Sequence, residues 1–365
     1  MTPENPPADA GRTRRIAVIP GDGIGTEVAT AAVGVLETAA RAFDLSLEFV
    51  WFDLGAEKYL REGVTLPDAV FEDLRDHYDA IFLGALGDPR VPDLRHARDI
   101  LLGLRTRLDL YINLRPVKLM HPDLTPLKGK GPEDLDFVIF RENTEGLYVG
   151  VGGTFKQDTP DEIAVNEMIN TRKGVERIIR AAFEYAEARG LKRVCMADKA
   201  NVLTHAHGLW QRVFKLVRAE YPHIASRHLY ADVAAMELVR APEDFDVIVT
   251  SNMFGDLLSD LAAQLVGGLG LAPSGNVHPG RAGLFEPVHG SAPPLAGKDV
   301  ANPFAMILTG AQMLDWLGFT AAADAIEGAV RAALAAGEAT VDLGGRLGTR
   351  AAGEAVAGRL GRAHP

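Results

Sequence analysis

Cysteine is nearly absent: Cys195 stands alone in 365 residues. A chain with one thiol forms no internal disulfide and supports no thiolate metal cluster, which fits a reducing compartment. Aromatic residues are sparse at 7% and the net charge is −11. Nucleic acid is therefore disfavoured as a partner, for want of both a cationic footprint and stacking platforms. No apolar run approaches the ~20 residues that span a bilayer, and no apolar stretch near the start resembles a secretion signal. No membrane partner is expected, and the chain reads as soluble and cytoplasmic. Residues 1–15 are polar and rich in Pro and Ala. They read as a disordered tail, since Glu4 and Asp9 argue against a transit peptide.

What the chain does have is apolar material, 47% of its residues, enough for one large or two medium domains. Strand-like and helix-like stretches alternate, as in an α/β architecture. Strands are predicted at 15–20, 45–52, 80–83, 137–140, 193–197 and 246–250. Helices are predicted at 27–43, 171–189, 208–220, 256–265 and 303–317. The Pro- and Gly-rich segment 121–134 reads as a surface loop near a domain junction, and 267–270 as a second flexible stretch.

Chemistry-bearing residues fall into clusters. Gly21-Asp22-Gly23-Ile24-Gly25 follows the first strand; it is either a dinucleotide-type phosphate cradle or a tight turn, and Thr26 stands where the third glycine of the full fingerprint belongs. Arg105, Arg115 and Arg141 sit near strands or strand ends. Singly each suits a structural ion pair, but together they suit a polycarboxylate. Asp256 and Asp260, four apart, lie on one helix face and offer hard oxygen ligands for Mg2+ or Mn2+. Lys199, after the strand 193–197, is a candidate base or an ion-pair partner. Tyr148 is a candidate proton donor or a packing residue. His289, within Glu286-Pro-Val-His-Gly-Ser-Ala-Pro293, offers a ring for stacking on a base or a simple hydrogen bond.

These motifs, taken in order, resemble the β-decarboxylating dehydrogenases of the isocitrate/isopropylmalate dehydrogenase family. The match is carried by GDGIG (21–25), Arg105 with NLRP (113–116), RENTEGLY (141–148), DKANVL (198–203), NMFGDLLSDLAA (252–263), GLGLAPSGN (268–276) and EPVHGSAP (286–293). The resemblance runs from about Ile16 to Gly345. It implies a two-domain α/β fold with a cleft between the domains, distinct from a standard Rossmann domain. Residues 1–110 and 267–365 would form the first domain and 111–266 the second, through which two copies dimerise and share active sites. Arg105, Arg115 and Arg141 would hold the carboxylates of a 2-hydroxy diacid. Asp256 and Asp260 would bind Mg2+ or Mn2+, with Asp232 supplied by the partner subunit both as a metal ligand and against the substrate. Lys199, also from the partner, would take the hydroxyl proton, and Tyr148 would protonate the enol. His289, Gly290, Ser291, Ala292 and Asn302 would contact NAD. A non-catalytic regulatory subunit is the competing reading, disfavoured because every one of these groups is present.

Within the family, Leu101 and Leu102 precede the first arginine where the substrate's variable group is read. They leave a charged arm without a partner, at a cost of several kcal/mol, and welcome an isopropyl group at ~0.8 kcal/mol per buried carbon. The expectation is therefore oxidative decarboxylation of 3-isopropylmalate, a leucine-biosynthesis step. Arg98 and the sequence RENTEGLYV lean instead toward homoisocitrate or isocitrate; tartrate is a further alternative. NAD is expected over NADP, although Pro294 and Leu295 occupy positions where NAD-using relatives carry an aspartate.

Overall fold

The structure, a computed structural model, describes residues 12–360; most of the expected N-terminal tail lies outside them. Twelve strands are described: β1 Arg14–Gly21, β2 Leu47–Trp51, β3 Ala80–Ala85, β4 Ile112–Lys118, β5 Asp136–Glu142, β6 Gly152–Phe155, β7 Ile163–Asn166, β8 Arg193–Asp198, β9 Ala225–Tyr230, β10 Val247–Thr250, β11 Gly275–His278 and β12 Ala282–Phe285. Ten of them form one mixed sheet in the order β2-β1-β3-β12-β11-β4-β5-β10-β8-β9, and β6 and β7 pair separately. Parallel ladders make up the two flanks, while β11 and β4 run antiparallel to their neighbours at the centre. This order is not that of a dinucleotide-binding Rossmann sheet.

Strand β3 is buried along its whole length, as expected for a strand covered by helices on both faces. One face of the sheet carries a single continuous core. It is built from the helices Gly25–Ala42, Arg172–Ala188, Ala206–Val217, Phe304–Trp316, Thr320–Ala335 and Thr349–Leu360. The other face is covered in two separate patches. One joins Val117, Phe137, Ile139 and Ile248 to the helices Ala231–Arg240 and Asn252–Leu265. The second joins Ile19, Ile81 and Leu83 to Leu104, Leu108 and Leu110. Side chains alternate along a strand, so Arg115 shares a face with Val117, and Arg141 with Ile139. Both arginines thus project on the face where the core is interrupted.

The sequence-based helices are all found, with shifted ends. The largest shift matters for the site: the helix expected from Asp256 begins at Asn252. Gly255 makes the earlier start possible. A Cβ there would lie 2.6 Å from Cβ and Cγ of Arg141, so only glycine lets helix and strand approach this closely. Asp256 therefore stands in the second turn of the helix, with Asn252 in the first.

Cys195 is 3% exposed, and burial pushes its thiol up to about 11. Native protein should accordingly resist a thiol reagent at pH 8 and react fully once unfolded. Rapid native labelling would contradict the packing of β8.

Candidate active site

Strands β4 and β5 place Arg115 and Arg141 beside the helix Asn252–Leu265. Arg141 donates through Nε and Nη2 to Oδ1 of Asn252 (2.9 and 2.8 Å) and through Nη1 to Asp256. Arg115 donates to Asn113 (2.7 Å) and Ser259 (2.5 Å), and its Nη1 lies 3.3 Å from Asp256 Oδ1 and 3.4 Å from Asp260 Oδ1. Carboxylate oxygens from both aspartates thus converge on one guanidinium nitrogen. Tyr148 donates its hydroxyl to Asp256 Oδ2 at 3.1 Å. Arg105 comes from the short helix Gly103–Arg107 and donates to Glu286 at 2.7 Å.

Buried polar side chains tie these groups together. Asn276, fully buried on β11, accepts from Asn113 (3.0 Å) and Asn143 (2.9 Å) and donates to Glu286 (2.8 Å). Arg105 is therefore linked through Glu286, Asn276 and Asn113 to Arg115. Paired groups of this kind hold rotamers that a lone charge in a cleft would not hold.

The electrostatics follow from burial. Desolvation first, then the neighbouring Arg115, pushes Arg141 down to about 9, so it remains a cation at neutral pH. Arg115 is lowered for the same first reason. Burial, with the Asp256 charge added, raises Tyr148 and keeps its hydroxyl protonated. Asp260 is raised by burial above all and by Asp256, against the pull of Arg115. A bound cation would relieve that repulsion between the two carboxylates.

Lys199 and Asp232 lie elsewhere. Lys199, just past β8, pairs with Asp232 in the first turn of the helix Ala231–Arg240. No hydrogen bond or ion pair joins them to the arginine–aspartate cluster of their own chain. Among the described residues, no group of three His, Cys, Asp or Glu side chains is placed to hold a metal. One chain therefore offers Asp256 and Asp260 as an incomplete but chemically suitable pair of hard ligands.

A cavity of about 310 Å3 extends from the arginines, lined by Leu101, Leu102 and Arg98 on one wall and by Val288, His289 and Gly290 on another; Arg105 and Arg115 also line it. The leucines are presented by a π-helical turn, Arg98–Leu102, which reading by helical periodicity missed.

The glycine loop behaves as a tight turn. Its Asp22 and Ile24 N–H groups donate to the carbonyls of Ala85 and Ser291, leaving neither free for a phosphate. Position 23 requires glycine on two counts, a positive φ of 56° and the 2.0 Å at which a Cβ would stand from the Ser291 oxygen. The 286–293 segment thus docks on the loop through Ser291, and Ala292 adopts a φ of 39°. The His289 ring bonds Gly290 through Nδ1, while its Nε2 is buried without a partner, and Gly290 faces open space. An orphaned ring nitrogen beside an open glycine fits a heteroaromatic ligand such as an adenine. Asn302 is less free: its Nδ2 donates to Asp342 and its Oδ1 accepts from Phe304 N–H. Glu286, Asn252 and Asn276 were missed as site residues, although each sits inside a motif already noted.

A family model described as isocitrate/isopropylmalate dehydrogenase matches residues 15–356. The chain belongs to the isocitrate/isopropylmalate dehydrogenase family. A family relative from Thermobifida fusca, named 3-isopropylmalate dehydrogenase, is 49% identical over 87% of this chain and 90% of its own length. A protein of the same name from Streptomyces griseus is 48% identical, covering 93% and 99%. The crystal structure of isocitrate dehydrogenase from Methylococcus capsulatus superposes with a TM-score of 0.87 at 39% identity, over 96% of this chain and all of that one. The large mixed sheet and its helices are therefore those of this dehydrogenase family.

Proposed function

We propose that this chain oxidises and decarboxylates 3-isopropylmalate to 4-methyl-2-oxopentanoate and CO2, with NAD as hydride acceptor and Mg2+ or Mn2+ as required ion, in the leucine pathway of the cytoplasm. The observation that carries this reading is the cavity in which an apolar wall, Leu101 and Leu102, stands beside Arg105 and Arg115. That combination suits a diacid with a branched alkyl arm. The names borne by relatives at 49% and 48% identity support it.

In this scheme Arg105, Arg115 and Arg141 hold the two carboxylates. Asp256 and Asp260, with Asp232 of the second subunit, would hold a divalent ion, which would supply Lewis-acid polarisation of the substrate oxygen at C2. NAD would be held along His289, Gly290, Ser291, Ala292 and Asn302, where it would supply the acceptor for the hydride from C2. Lys199 of the second subunit takes the hydroxyl proton as the ketone forms. The C3 carboxylate then leaves as CO2, and Tyr148 returns a proton to the carbon it left. Burial and Asp256 keep that phenol in its donating form.

The shared site implies a homodimer. The helices Ala231–Arg240 and Asn252–Leu265 leave Met236, Val239 and Leu257 62%, 45% and 61% exposed, an apolar surface suited to a second copy. The domain division at 110/111 and 266/267 belongs to the same proposal. It is supported by the core patch that draws only on residues 117–266.

Arg98 lines the same cavity, which favours testing acidic arms as well. Side-by-side rates on 3-isopropylmalate, homoisocitrate, isocitrate and tartrate decide the matter. 3-Isopropylmalate should lead, and Leu102→Arg should shift preference toward homoisocitrate. Faster turnover of homoisocitrate or isocitrate by the unaltered chain would overturn the assignment.

A further inference from the structure

A buried pair outside the reacting cluster joins the glycine loop to the substrate wall. Asp22 is 5% exposed and His96 is fully buried. Asp22 Oδ1 accepts the Ala56 N–H at 2.7 Å, and Oδ2 accepts the Gly87 N–H at 2.7 Å and His96 Nε2 at 2.8 Å. Nδ1 of the same ring is buried without a partner, and the ring stacks on Tyr59 at 6.1 Å. The imidazole therefore has one polar attachment, and it is Asp22.

The consequence lies in the chain path. After β3 the backbone runs through residues 86–94, with φ of 133° at Gly87 and 50° at Leu94, and enters a helical stretch at Arg95. Asp22 grips this loop at both ends, at Gly87 and at His96. The stretch that begins beside His96 carries Leu101, Leu102 and Arg105. The loop that holds Asp22 also docks the 286–293 segment through Ile24 and Ser291. One carboxylate thus sets the register between the wall that contacts the alkyl arm and the segment beside His289.

We propose that His96, acting through Asp22, is a positioning residue for substrate selectivity: it locks the 87–96 loop so that Leu101 and Leu102 face the substrate's variable arm. This rests on the reading of the cavity given above. An ångström of misplacement is enough to cost on the order of 100-fold in rate. Arg105, on the same stretch, is held separately by Glu286, so the loss should fall chiefly on substrates that touch the wall.

The test compares His96→Leu and His96→Gln on 3-isopropylmalate and on malate, which lacks the arm. Leucine removes the donor. Glutamine keeps a nitrogen donor near the position of Nε2. His96→Leu should lower kcat/KM for 3-isopropylmalate by about 10- to 100-fold with a much smaller loss on malate, and His96→Gln should restore most of the loss. Amide hydrogen exchange across 86–98 should quicken in His96→Leu while β4 and β5 keep their protection. An equal loss on both substrates, or unchanged exchange across 86–98, overturns the proposal. A wild-type chain that turns over neither diacid removes the reading of the cavity, and exchange alone then decides whether His96 locks the loop.

Discussion

Asp256→Asn should lower turnover by on the order of 10³-fold or more, because in the proposed scheme it removes a carboxylate that would bind the cation and so support substrate polarisation. The substitution keeps the side chain's shape, so the loss reports charge. Asp256 also accepts from Arg141 and Tyr148 and lies 3.3 Å from Arg115. Its removal leaves two buried guanidiniums near one another, Arg141 with the neutral Asn252 and Arg115 with Asn113, Ser259 and the more distant Asp260. Losing one partner of a buried pair costs about 3–5 kcal/mol; the aspartate's partial exposure reduces this to about 1–3 kcal/mol. The variant should therefore fold and melt lower. Metal titration separates the two effects: Mg2+ or Mn2+ should raise the melting temperature of the parent protein and leave that of Asp256→Asn unmoved. Turnover by Asp256→Asn within tenfold of the parent would show that the cation, if required, sits elsewhere.

Lys199→Met should lower kcat by about 10²- to 10⁴-fold, the usual range for loss of an acid–base group. Mixing it with Asp256→Asn makes the sharper test. Lys199 and Asp232 pair with each other and make no bond to Asp256 in their own chain. If each site takes Lys199 from one subunit and Asp256 from the other, a mixed dimer carries one intact site and one doubly damaged site. Random pairing of equal amounts, after co-refolding or co-expression, should then recover about a quarter of the parent activity. Activity no greater than the sum of the two variants would mean that each chain builds its own site. The Lys199–Asp232 ion pair has a role in this picture, since it presents base and third ligand to the second subunit as one unit.

Much of the site was legible because its signals are local. Arg141 ends an apolar strand, and the 256/260 aspartate spacing places both carboxylates on one helix face whatever surrounds them. The strands β1, β3, β5, β8 and β10 were found because burial on both faces demands continuous apolar runs. The paired strands β6 and β7 were missed for the opposite reason. Phe155 and Ile163 are 61% and 53% exposed, so no core imposes an alternating pattern there. Strands β11 and β12 were hidden in a Gly- and Pro-rich stretch, because each owes its extended form to neighbours far away in the chain.

By itself the sequence determined which chemical groups are available, and the motifs that place the chain in its family. It also determined the local geometry that propensity and spacing impose: helix faces, strand ends and tight turns. Tertiary structure alone decided which charges meet. Arg105 finds Glu286 across 181 residues and His96 finds Asp22 across 74, and no pattern within either segment encodes such a pairing. It also decided that the glycine loop spends the N–H groups of Asp22 and Ile24 on Ala85 and Ser291 instead of offering them to a phosphate. The physical reason is that a buried polar group must be satisfied by whatever the fold brings near, and in a ten-stranded sheet of crossed connections that neighbour is seldom close in sequence.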